Sequence, residues 1–184
     1  MMMAPSAPAI GMATFFVGRE RCRLPEGLVL AALARRIGDI PASLSFRTAQ
    51  GFAICPAGHR PGPPSEETVV EVRDYDPVRH SCLAIGLVEP GIDTPIHWMA
   101  YRTDETARAA AFVREAGRIE GVEYASARHP PGSFQEAVEI AAVAKRTGRP
   151  AGAQGKGLLV KASSAGELER ALIGLLGPQG GAKG

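Results

Sequence analysis

The sequence predicts a layered α/β sandwich built on a largely antiparallel or mixed sheet, and three observations predict it. Segments of helical period and short β-like runs alternate over the whole length. Two such runs in the first half, Leu44–Arg47 and Gly51–Cys55, flank a short polar turn, which is hairpin spacing. Several connections are too short for the crossover that a parallel pair needs. At 184 residues the chain suits one domain. The expected boundaries are a disordered tail over 1–13, a single domain over 14–176 and a flexible tail over 177–184.

The elements follow in order. Thr14–Val17 is strand-like. Arg19, Arg21 and Arg23 then alternate, which suits either an anion-binding stripe or a solvated edge strand guarded by charge. Leu30, Leu33, Ala34 and Ile37 form the apolar stripe of an amphipathic helix that Gly38 stops. Pro56-Ala57-Gly58 ends the hairpin, and His59 to Ser65 reads as a loop. Thr68–Val72 and Cys82–Leu87 are strands, the second more fully buried, with a polar turn-rich stretch from Asp74 to Ser81 between them.

Asp93-Thr94-Pro95 opens a helix running through Tyr101, with Asp93 or Thr94 as N-cap. The alanine-rich stretch Thr106–Ala116 reads as further helix closed by Gly117, and Val122–Ala127 as a strand. Ser133-x-x-Glu136 and Ser164-x-x-Glu167 are capping boxes. They open helices that run to about Arg146 and, with Leu168, Ala171, Leu172 and Leu175 as its stripe, to the C-terminal region. Gly157–Lys161 is a buried strand between them.

Composition excludes several classes of function. Basic and acidic groups nearly balance at a formal +2, so Arg19, Arg21, Arg23, Arg35 and Arg36 make a weak case for nucleic acid. No apolar run reaches membrane-spanning length. Cys22, Cys55 and Cys82 are few, odd in number and without ligand spacing, as in a reducing compartment; a cytoplasmic location is expected. Cys55 and Cys82 read as buried small apolar residues.

Three segments, in order, resemble the class II aldolase/adducin family. Ala42-Ser43-Leu44-Ser45-Phe46-Arg47, with Gly51 and the later Ile54-Cys55-Pro56-Ala57-Gly58, is similar to that family's GNxSxR…G…ITPSG opening. Pro90-Gly91-Ile92-Asp93-Thr94-Pro95-Ile96-His97, followed by Tyr101-Arg102, resembles PSSETPLH…YR. Ala127-Arg128-His129-Pro130-Pro131 and the later Gly155-Lys156-Gly157-Leu158-Leu159-Val160 resemble HTHSP and NHGxLV. The resemblance covers roughly residues 28–175. It implies a three-layer α/β/α sandwich on a mainly antiparallel sheet, a sugar-phosphate aldolase or epimerase activity, an oligomeric assembly, and zinc held by three histidines beside a proton-moving glutamate.

The departures fall on that chemistry. An aldol cleavage at neutral pH needs a Lewis acid on the developing oxyanion, and neutral imidazoles hold zinc without cancelling its charge. Matched position by position, the histidines become Ala127, His129 and Lys156, and the glutamate becomes Asp93. One imidazole and one carboxylate make a poor zinc site, so no metal ligand set and no cofactor are expected. The resemblance leaves Asp93, His129 and Lys156 as candidate catalytic residues, Asp93 alternatively only a helix cap. Lys156 reads as an anion contact, a Schiff-base amine or a solvated turn lysine. Ser43 and Gly58 stand where an anionic ligand would be met. His97, beside Trp98, reads as a hydrogen-bonded core histidine, while His59 and His80 read as solvated.

The leading expectation is a divergent chain that has lost zinc-dependent aldol chemistry and acts as a homo-oligomeric or binding protein, or runs an altered reaction in the same cleft. Its ligand would be a small anion, with neither nucleic acid nor membrane as partner. The alternative is a lyase or isomerase acting on a small phosphorylated carbonyl compound through Asp93, His129 and Lys156.

Overall fold

A computed structural model describes residues 9–57, 65–114, 116–126, 128–153 and 157–177. They build one nine-stranded sheet and four α-helices. In chain order the elements are β1 (Ala13–Gly18), α1 (Pro25–Arg36), β2 (Ala42–Arg47), β3 (Phe52–Cys55), β4 (Val70–Asp76), β5 (Ser81–Ile85), α2 (Thr94–Thr103), β6 (Ala109–Val113), β7 (Glu123–Ala125), α3 (Phe134–Thr147), β8 (Ala151–Ala153), β9 (Gly157–Ala162) and α4 (Ala165–Leu176). The strand order is β1-β5-β4-β3-β2-β6-β9-β8-β7. Only the outermost pairs, β1 with β5 and β7 with β8, are parallel. The mixed, mainly antiparallel sheet expected from the short connections is what forms.

Strand alternation divides the core into two apolar clusters. Leu44, Ala109, Ala111, Val113, Leu158 and Val160 pack with Leu30 and Leu33 of α1 and Leu168 and Leu172 of α4. Ile54, Val72, Ala110, Phe112 and Leu159 pack with Ile96 and Ala100 of α2 and Ile140 and Ala144 of α3. Consecutive residues of β6 thus enter opposite clusters, as a period of two requires.

One element overturns the sequence expectation. Residues 109–113 form not helix but the strand between β2 and β9, buried along its whole length. Alanine favours helix only weakly, and tertiary packing overrides that preference when both faces of a segment are covered. Here α2 and α4 lie on the two faces. Elsewhere differences are local. The strand expected over Thr68–Val72 begins at Val70 and runs on to Asp76, and β8 pairs between β7 and β9 where no strand was expected. Leu83 of β5 is exposed rather than buried.

The serine caps of two helices follow the expected chemistry. Ser133 and Ser164 each accept from the backbone N–H three residues on, and α3 ends at Gly148 with φ +62°. The three cysteines are free and buried. Ile10 donates its backbone N–H to the Pro131 carbonyl, tying the segment ahead of β1 to the loop ahead of α3. The arginine stripe meets its own neighbours: the Arg19 guanidinium lies over the Phe16 ring, Arg21 pairs with Glu67, and Arg23 approaches Glu20.

Candidate functional site

The polar centre of the molecule grows out of two four-residue steps on α2 and one alternation on β2. Asp93, His97 and Tyr101 recur at intervals of four and so share one helix face. Ser43 and Ser45 share the β2 face that meets it, with Leu44 turned to the opposite cluster. All five side chains are buried, His97 completely.

The hydrogen bonds run in one direction. An ionised carboxylate only accepts, so the Ser43 hydroxyl donates to Asp93 Oδ2 at 3.0 Å. The Ser43 oxygen is then free to accept from His97 Nε2–H at 2.9 Å. His97 Nδ1 in turn accepts from the Ser45 hydroxyl at 2.6 Å, and Ser45 accepts from the Tyr101 hydroxyl at 2.8 Å. This order requires a neutral imidazole. Burial enforces it, pushing the His97 pKa down to about 4 against the opposing pull of Asp93. The Tyr101 phenol is pushed upward, again chiefly by burial.

At its far end the chain of bonds meets a cation. Arg114, the residue after β6, gives Nε and Nη2 to Asp93 Oδ1 at 2.9 and 2.5 Å. Its Nη1 reaches Glu136 Oε1 at 3.3 Å, and the other Glu136 oxygen accepts from the Gly132 backbone N–H at 2.7 Å. The second half of the expected capping box is therefore diverted. Ser133 accepts from Glu136 N–H as expected, but the Glu136 carboxylate bonds Gly132 and Arg114. Burial opposes the Arg114 charge, yet the two carboxylates together raise its pKa. The guanidinium also lies over the Phe112 ring, 5.0 Å from its centroid. One side chain thus ties together the N-termini of α2 and α3 and the end of β6.

The candidates from sequence separate in this setting. Asp93 stands at the N-cap position of α2, but its side chain does not cap the helix; it serves Arg114 and Ser43. Ser43 does lie beside Asp93, with its hydroxyl engaged by Asp93, His97 and the Phe112 carbonyl. His129 pairs with Glu139 of α3 at 3.2 Å, and Glu139 also accepts from Ser126. Lys156 and Gly58 lie outside the described residues, as do His59 and Ala127. His97 is the hydrogen-bonded core histidine expected. His80 is not solvated: its Nδ1 faces the Tyr75 hydroxyl at 2.9 Å and its Nε2 is buried with no partner among the described residues.

Arg114 and Glu136 carry the centre's charge, and sequence reasoning missed them as site residues. Arg114 was hidden inside the supposed helix over 106–116, and Glu136 was read only as a cap. Reading Ala109–Val113 as a strand would have placed Phe112 and Arg114 on one face.

Among the described residues no three His, Cys, Asp or Glu groups converge as a metal site would need. Both nitrogens of His97 are taken by serines, and both oxygens of Asp93 are taken by Ser43 and Arg114.

No protein-family model and no curated relative matches the sequence. Solved structures do match it. L-fuculose-1-phosphate aldolase from Thermus thermophilus superposes with a TM-score of 0.56 at 17% identity, over 77% of this chain and 83% of that one. A second L-fuculose 1-phosphate aldolase gives 0.59 at 18% identity over 82% and 83%. YgbL from Klebsiella pneumoniae, a proposed aldolase/epimerase/decarboxylase, gives 0.52 at 16% identity over 84% and 89%. What the chain shares with them is its architecture: a mixed α/β protein with the class II aldolase fold.

Proposed function

We propose that this is a divergent class II aldolase-like protein that has lost zinc-dependent aldol chemistry and serves as a homo-oligomeric binding protein. The observation that carries the reading is the Arg114 guanidinium seated on Asp93. In the resemblance set out above, a triplet supplies zinc ligands at its first and third positions, beside the carboxylate of the second motif. Arg114 meets Asp93, and its guanidinium lies over the ring of Phe112, two residues before it. We match the triplet to Phe112-Val113-Arg114 on that ground, in place of Ala127-Arg128-His129. A phenyl ring and a guanidinium coordinate no metal. The guanidinium neutralises the carboxylate but offers no open position to polarise a carbonyl. Asp93, nearly sealed from solvent and bonded on both oxygens, is a structural carboxylate and not a base waiting for substrate.

Other features support the remaining parts of the reading. The pairing of α1 with α4 in one apolar cluster and α2 with α3 in the other fits the three-layer arrangement, within one domain over 14–176. Phe15 and Val17 of the edge strand β1 and Leu83 of β5 remain exposed, apolar surface of the kind an assembly covers. No helix among the described residues is long and apolar enough to cross a membrane. Cytoplasmic function suits three free thiols.

Metal analysis of the purified protein, run beside a panel of triose and sugar phosphates with and without added Zn²⁺, tests the reading. Zinc well below one per chain and no turnover are expected. One firmly held zinc per chain, or a turnover that Asp93→Asn abolishes, overturns it.

A further inference from the structure

The opposite end of α2 carries a polar cavity. Arg102 is nine residues beyond Asp93, which places it roughly 13 Å along the helix at 1.5 Å per residue. The cavity is about 210 Å³ and is lined by Arg47, Thr48, Phe52, Arg73, Trp98 and Arg102, with Asp74 also in its wall. Three guanidiniums face one carboxylate.

The donors in this cavity are not spent. Arg47 uses Nε on the Ala107 carbonyl and Nη2 on the carbonyls of Tyr101 and Asp104, which anchors it at the end of α2. Its Nη1 donates to no acceptor among the described residues. Arg102 stacks over the Trp98 ring, 5.1 Å from its centroid, and has no carboxylate partner among the described residues. The Trp98 indole N–H likewise has no acceptor among them, and neither it nor Arg47 Nη1 is sealed from solvent. The Thr48 hydroxyl oxygen accepts from Gln50 N–H, leaving its own hydrogen to donate. Arg73 is held by Glu71 at 3.0 Å, and Asp74 Oδ1 by the Tyr75 backbone N–H. Gly51 of the hairpin turn also lines the cavity, and it lies so near the Val72 carbonyl and Arg73 Cα that a β-carbon there has no room.

We infer that this cavity binds the phosphate group of a small phosphate monoester. A carboxylate presents two oxygens, whereas a terminal phosphate presents three strong acceptors. Three acceptors match a wall whose residues Arg47, Arg102, Trp98 and Thr48 keep unspent donors. Guanidinium is the side chain best suited to phosphate. The volume lies below that of a drug-sized pocket, so the organic part is small and rests on the Trp98 and Phe52 side of the cavity.

Trp98 is the only tryptophan of the chain, so its emission reports on this cavity directly. Glycerol phosphate and inorganic phosphate are titrated in parallel at constant ionic strength, with sodium chloride as the control. A saturable change in Trp98 emission is expected with glycerol phosphate. Arg102 is exposed, so Arg102→Gln retains the fold, checked by circular dichroism, and weakens binding about tenfold or more through the loss of a charge-assisted contact. Arg73→Gln weakens it less, because Glu71 already engages that guanidinium. Tighter binding of the ester than of inorganic phosphate shows that the organic part is read; equal binding shows a site for the phosphate group alone. A response that chloride reproduces, or an Arg102→Gln variant that binds like the parent, overturns the inference.

Discussion

Replacing Arg114 by methionine strips the polar centre of its cation while keeping most of the side chain's bulk. Two carboxylates then stand buried without their partner. The side chain of Arg114 is 21% exposed, and those of Asp93 and Glu136 are 7% and 2% exposed, so solvent screens the pairs little. Removing one member of such a buried group costs about 3–5 kcal/mol, because the remaining charges stay desolvated. For a chain of this size that is a fall of roughly 6–20 °C in Tm. Urea unfolding followed by circular dichroism measures it. An amide needs no counter-charge when buried, so adding Asp93→Asn to Arg114→Met recovers part of the loss. A loss below about 1 kcal/mol would show that Arg114 does not hold the centre together, and the account of Asp93 as a structural carboxylate would fall with it.

Three further expectations concern the same region. His97 has a folded-state pKa near 4 against an ordinary 6.5, so the folded chain binds fewer protons than the unfolded chain between those values. Its contribution to stability therefore falls as pH drops from about 6.5 to 4, by roughly 3 kcal/mol, and His97→Gln removes that slope in urea midpoints taken across the window. Gly157 has φ +147°, and a β-carbon there would run into the Phe112 ring and lie 2.9 Å from Arg114 Cα; Gly157→Ala should cost more than about 2 kcal/mol by thermal unfolding, and a neutral result would mean that β9 is free to move away. Phe112→His combined with Arg114→His sets one imidazole at the position that meets Asp93 and a second two residues earlier, so zinc should raise the Tm of the double variant and leave the parent unmoved; the same response in both would sink the assignment of that strand.

Legibility followed the reach of the forces involved. The amphipathic stripe of α1, the hairpin of β2 and β3, the serine caps of α3 and α4 and the core position of His97 were readable because each is set by neighbours within a few residues. Strand β6 was not. Five residues dominated by alanine carry a helical preference, and only their place between β2 and β9, covered on both faces, makes them a strand. That single reversal moved Arg114 from a helix to the end of a strand, and with it the partner of Asp93.

The sequence by itself determined the class of fold, most of its elements and a core histidine on the second helix, since these rest on periodicity and local hydrogen bonding. Only the tertiary structure decided what those groups do. It turned His129 to Glu139 on α3, aligned Ser43 and Ser45 with α2, and brought a guanidinium 21 residues away onto Asp93. The pairing of charges across a sheet depends on which strands lie side by side, and strand order is settled by the burial of the whole chain.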